Sequence, residues 1–141
     1  MKSSTPLESV LEYLVVKALS SKFNIIKALR LYFVENISPS RIEVLTGLTK
    51  NQVRGYAQRI IEKATDVVRA RIYAKYLIPY VEKIKPIMEC NGASCRCRIC
   101  NVDVPDYAVE IHIKNLHSDV VDECVNTIIE LLRKKLNKVR S

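Results

Sequence analysis

Cys97 and Cys100 are separated by two residues; eleven residues then lead to His112, and four more to His117. The chain has no other histidine. A C-x2-C turn places two thiolates on one side of a site, and two imidazoles about one helical turn apart can close the other side. Four such ligands make a tetrahedron suited to zinc, and four protein ligands leave no open position, which is the pattern of a structural rather than a catalytic ion. Cys90 and Cys95 leave two possibilities open. They could form a disulfide, or Cys95 could compete with Cys97 for the metal. Cys124 falls on the apolar side of the last expected helix and reads as core. Five cysteines is an odd number, which argues against a secreted disulfide scaffold.

These residues must be positioned by the elements around them. Thr5-Pro6-Leu7-Glu8 is a helix start with a capping box, followed by Leu7, Val10, Leu11, Leu14, Val15 and Ala18 at helical spacing. Ser20-Ser21 breaks the pattern and is expected to cap a second helix that carries Phe23 to Phe33 and ends near Asn36. Ser38-Pro39 opens a short helix to about Leu45, Thr46-Gly47-Leu48 is a tight turn, and Thr49 to Gln52 is a second capping box. The run from Thr65 to Ile87 has helical period, with Val67, Val68, Ala70, Ile72, Tyr76 and Leu77 as its apolar residues and Pro79 expected to kink or end it. Cys90 to Cys95 reads as a loop, Val102 to Val104 as half of a very small hairpin, and Asp103 to Asp106 as cap and first turn of the helix bearing the histidines. Ser118 caps a last helix with Val121, Val125, Ile128, Leu132, Leu136 and Val139 as its stripe. The fold class is mainly α: an N-terminal helical bundle over 1–88, then a small metal module with a C-terminal amphipathic helix over 89–141.

The chain of 141 residues carries a formal charge of +8, unevenly spread. Residues 41–85 hold ten basic and four acidic side chains, residues 86–124 three and seven, and residues 125–141 five and one. A positive field concentrated in one region favours a polyanionic partner, because phosphate neutralisation supplies much of nucleic-acid affinity. No apolar run approaches the roughly 18 residues of a membrane span, and the N-terminal stretch has acids among its apolar residues, unlike a secretory signal. A cytoplasmic protein without membrane contact is expected.

The stretch from Ser38 to Arg59 resembles the helix-turn-helix of transcription regulators. Ile42 and Leu45 would bury the first helix, Gly47 would make the turn, and Val53 would lock the second helix against the first. Glu43 stands where the family usually has a small residue. The resemblance implies a second helix in the major groove of double-stranded DNA, with Lys50, Asn51, Gln52, Arg54, Gln58 and Arg59 as contacts. Residues 97–117 resemble the CCHH zinc finger, with a loop one residue short and Val104 and Val109 at the family's two core positions. The family's base-contacting positions fall on Pro105, Ala108 and Ile111. None of these side chains can donate a hydrogen bond, so the finger is expected to staple the fold or to offer a protein contact. The combination is similar in style to small transcription regulators of archaea and their viruses.

The expectation is a sequence-specific DNA-binding protein, a transcriptional regulator that holds zinc structurally and is open to homodimer formation. The alternative is an interaction adaptor, in which the finger binds a protein and the basic helices bind DNA or RNA non-specifically. Both histidines are claimed by the metal and no glycine-rich phosphate loop exists, so an enzyme is not expected. Arg133, Lys134, Lys135, Lys138 and Arg140 crowd the end of the last helix, where they can complement its dipole or clamp a DNA backbone.

Overall fold

The computed structural model describes residues 5–140, with the side chains of residues 139 and 140 left out. Among the described residues there are seven α-helices and one three-stranded sheet, so the fold is mainly α. Five helices come first: α1 (Pro6–Leu19), α2 (Phe23–Phe33), α3 (Pro39–Thr46), α4 (Lys50–Ala64) and α5 (Val67–Val81). The antiparallel strands β1 (Met88–Asn91), β2 (Ser94–Cys97) and β3 (Asp103–Pro105) follow, then α6 (Val109–Leu116) and α7 (Ser118–Arg140).

The expected apolar stripe of α1 is the centre of the core. Val10, Leu11, Leu14, Val15 and Ala18 are all buried, and α1 packs against α2, α4, α5, α6 and α7. Met88, Cys97, Val104, Val109 and Ile113 from the C-terminal part join the same cluster as the bundle helices. Two backbone-directed bonds stitch the sheet to the bundle, from Ile87 N–H to the Leu19 carbonyl and from Ser21 Oγ to the Met88 carbonyl, while Arg98 N–H donates to the Ile87 carbonyl and extends the β1–β2 pairing by one step.

The α3–α4 pair follows from its local chemistry. Ser38 caps α3 with Pro39 at its first position. Gly47 ends α3 at φ 79°, a left-handed conformation that costs a residue with a Cβ. Both halves of the Thr49–Gln52 capping box are present. Ile42 and Val53 are buried between the helices. Glu43 resolves its own misfit: it points outward and its carboxylate accepts the Lys50 backbone N–H at 2.7 Å, satisfying one of the open donors at the start of α4.

Several expectations are corrected. Leu45 is 46% exposed rather than buried. Ser20 closes α1 by donating to the Val16 carbonyl, Ser21 sits at φ 64°, and α2 begins after Lys22 with no side-chain cap. On α5 the buried face is Ala70, Ala74, Leu77, Ile78 and Val81, while Val67, Val68, Ile72 and Tyr76 face outward. The small alanines let α5 approach its neighbours, which a hydrophobicity count alone does not favour. The helix runs through Pro79 for only two more residues, consistent with the missing N–H and ring clash of proline. The Cys90–Cys95 loop is instead the hairpin of β1 and β2, turning at Gly92 with φ 69°. The helix expected from Asp103 begins at Val109, because 103–105 is a strand and 106–108 a 3-10 turn after an extended Pro105.

Replacing Gly47 by Ala puts a Cβ in a left-handed conformation with no new packing contact nearby. The expected cost is about 1 kcal/mol, read as a lower urea midpoint with an unchanged slope.

Candidate metal centre and the exposed face of α4

The turn after β2 delivers the two thiols. Cys97 N–H donates to the Val102 carbonyl, and the Cys97 carbonyl accepts Asn101 N–H, with Asn101 at φ 61°. This loop brings Cys100 back beside Cys97. The two imidazoles come from α6: His112 lies within it and His117 at its C-terminal end, where the His117 carbonyl also accepts Val120 and Val121 N–H at the start of α7. Cys97 Sγ stands 3.4 Å from His117 Nε2, and Cys100 Sγ stands 3.4 Å from His112 Nε2. The four ligand atoms lie within 4.8 Å of one another. Two free thiols and two imidazoles converging at this range are positioned to hold a metal ion. Cys97 and His117 are buried and form its inner side, whereas Cys100 is exposed and His112 half-buried.

The alternatives at Cys90 and Cys95 are settled by register. The two residues are direct cross-strand partners and form a disulfide, so Cys95 is not the ligand that replaces Cys97. Cys124 is half-buried on α7, and burial together with the neighbouring Glu123 carboxylate pushes its thiol up. Val104 and Val109 are buried, as are Ile113 and Met88, in the same cluster as Cys97. Met88 was not visible as a core residue in the sequence, because it sits in a segment without periodicity.

A second feature escaped the sequence. Glu110, two residues before His112, reaches into the bundle, where its carboxylate accepts hydrogen bonds from Lys17 at 2.8 and 3.0 Å and from Lys22. Lys17 is only 4% exposed. Burial pushes the Lys17 ammonium below its ordinary range, and its hydrogen bonds to Glu110 oppose that shift without cancelling it. Burial alone would raise Glu110, but the hydrogen bonds from Lys17 and Lys22 outweigh it and hold the carboxyl low. The Lys17 ammonium also lies 5.0 Å from the Tyr13 ring centre and 5.4 Å from that of Tyr56, a residue of α4. The metal-bearing helix is thereby joined to α4 through one lysine.

On α4, Lys50, Asn51, Gln52, Arg54, Gln58 and Arg59 are all exposed. They are not equally available. The Gln52 amide is held by the capping box, Gln58 donates to Glu62, and Arg59 lies over the Tyr56 ring. Gly55 is the residue the sequence reading overlooked. It faces solvent between Asn51, Gln52, Tyr56 and Arg59, which together line a shallow recess. A Cβ there would meet nothing within 4 Å, so packing does not require glycine. A glycine inside a helix costs about 1 kcal/mol relative to alanine. Pro105, Ala108 and Ile111 sit apart in kind: Ile111 is 62% and its neighbour Tyr107 84% exposed, an apolar outer surface.

No described helix is long and apolar enough to cross a membrane. Comparison with protein-family models, curated proteins and solved structures finds no match for this chain.

Two outcomes are expected. Without metal, Cys100 should react readily with a thiol reagent, and one equivalent of divalent metal should protect it while raising the thermal midpoint. Glu110→Ala leaves a buried ammonium without its carboxylate; because Glu110 is itself partly exposed, the loss should be about 2 kcal/mol, below that of a fully buried pair, measured on the metal-loaded chain by denaturant unfolding.

Proposed function

We propose that this chain is a sequence-specific double-stranded DNA-binding protein, a transcriptional regulator, that presents the exposed face of α4 to the major groove. The observation that carries the reading is Gly55. A helix that gives up stability at an outward position with no packing need has reason to let something approach closely, and the residues around the gap are those suited to base edges and phosphates. Asn51 can pair with adenine, Arg54 and Arg59 with guanine or phosphate, and Lys50 with phosphate. The basic excess of residues 41–85 puts the favourable field on the same region.

Zinc is the metal we assign to the four-ligand centre. With Zn–S near 2.3 Å and Zn–N near 2.05 Å, a tetrahedral edge between sulfur and nitrogen is about 3.6 Å, close to the 3.4 Å at which each thiol faces its imidazole. When bound, the ion contributes its binding free energy to folding and performs no chemistry on a substrate. Cys97, Cys100, His112 and His117 hold it, and α6 in turn presents Glu110 to Lys17. Nothing among the base-reading positions of the finger suits a base edge, so its role in this account is to hold the bundle and α7 together.

The exposed Tyr107 and Ile111 favour a second reading, in which the finger is an adaptor surface for another protein and α4 binds nucleic acid without sequence preference.

Selection from a random duplex pool at near-physiological salt tests the two. An enriched motif supports sequence-specific reading; no enrichment, with binding that fades as salt rises, supports the adaptor. Gly55→Ala should separate folding from recognition: the variant should be more stable by about 1 kcal/mol, yet bind the selected duplex at least about tenfold more weakly. Arg54→Ala should reduce preference for the motif over unrelated duplex, whereas a uniform loss across all sequences would make Arg54 a phosphate contact only.

A further inference from the structure

Helix α7 carries a face that the bundle does not cover. Glu123, Thr127, Leu131 and Lys134 follow one another at steps of four, four and three residues, so they lie along one side. All four are exposed, and Leu131 keeps 45% of its surface in solvent. Beside this row lies a groove of about 290 Å³ between α7 and the end of α5, lined by Tyr80, Ile84, Cys124, Thr127, Ile128 and Leu131 and by the charged Lys83 and Glu123. Its lining is mostly apolar. Tyr80 also continues, at steps of four, the exposed row Val68, Ile72 and Tyr76 of α5, so the uncovered apolar surface extends beyond the groove.

The order of the row identifies its occupant. It begins with an acid and ends with a base, with a small polar residue and a leucine between. Laid antiparallel on a second copy about a two-fold axis near residue 129, the row complements itself. Glu123 meets the partner subunit's Lys134, Lys134 meets the partner subunit's Glu123, and each Leu131 comes down beside the partner subunit's Thr127 and its groove. A parallel arrangement would instead set Glu123 against its own copy. A self-complementary patch related by a two-fold axis is the geometry of a closed dimer. We propose that this chain forms a homodimer through antiparallel pairing of α7, with Leu131 as the apolar anchor and the Glu123–Lys134 pair setting direction.

None of the residues in this patch belongs to α4, so the pairing leaves the proposed reading face open. The proposal does not depend on DNA binding. Exposed ion pairs contribute little affinity by themselves, so the burial of Leu131 must supply most of the association and the charges must select the register. The dimer should therefore be of modest affinity and weaken with salt.

The test is the molar mass of the full, metal-loaded chain by sedimentation equilibrium from about 1 to 500 μM, bracketing the micromolar range of modest affinities. Wild type should pass from monomer to dimer over this range. Glu123→Lys alone and Lys134→Glu alone should each raise the dissociation constant about tenfold, because each sets two like charges in contact across the two-fold axis. A one-to-one mixture of the two variants should recover dimers near wild-type affinity, since each mismatched face then meets its opposite. Leu131→Asn should be monomeric throughout with unchanged helical circular dichroism. A wild-type chain that stays monomeric, or a dimer that neither single reversal weakens, or variants whose mixture does not recover association, would each overturn the proposal.

Discussion

The structure depends on a buried ammonium. Lys17 lies in the last turn of α1, buried beside Val16, Ala18 and Leu19, and an ammonium in such surroundings needs a carboxylate close by. Among the described residues no carboxylate of the bundle pairs with it. The carboxylate comes from Glu110, ninety-three positions along the chain, on the helix that also carries His112. The N-terminal helices therefore reach their satisfied state only when α6 is docked. The docking of α6 in turn rests on the loop, strand and helix that converge at Cys97, Cys100, His112 and His117. A short segment of three small strands and an eight-residue helix has little apolar surface of its own, so a metal at those four ligands would fix it, as in other small modules that fold around an ion.

This arrangement explains why one hydrophobic cluster spans both halves of the chain. Met88, Val104, Val109 and Ile113 belong to the same buried cluster as Cys97 and the α1 stripe, and α6, which carries Val109 and Ile113, packs on α1. Lys17 touches both sides of the arrangement: it holds Glu110 through hydrogen bonds and lies against Tyr13 and Tyr56. In the proposed function the consequence is a division of labour. The metal module is tied to α4 through Lys17, near Tyr56 and Arg59, and the recess that Gly55 opens among Asn51, Gln52 and Arg59 is left to the nucleic acid.

Much of this was legible in the sequence where a local rule has one strong solution. The α4 capping box, the Thr5 and Ser38 caps with their first-position prolines, and Gly47 set the starts of α1, α3 and α4 and the end of α3, because cap chemistry involves neighbours three or four residues away; at Thr5 only the half of the expected box that accepts Glu8 N–H is formed. The four ligands were legible for the same reason, since spacing in a turn and on a helix is local. What was not legible was set by partners distant in the chain. The face that α5 buries depends on how closely its alanines let it approach α1, α2 and α4, so Val68 and Ile72 looked like core and are not. Cys90 and Cys95 looked like a loop because strand pairing across a four-residue turn leaves almost no pattern. Glu110 looked like one acid among seven in an acidic segment, and nothing near it in sequence announces Lys17. Gly55 could have been found: a glycine inside an otherwise good helix, on its polar face, is a signal that needs only the helical wheel.

In the proposed function α4 meets the duplex and the metal module does not. Amide chemical shifts of the zinc-loaded protein, followed during titration with a selected duplex, test it most directly. Changes should be concentrated from Lys50 to Arg59, with Tyr107 and Ile111 unaffected. Changes concentrated on Tyr107 to Ile111, with the outer face of α4 silent, would contradict it.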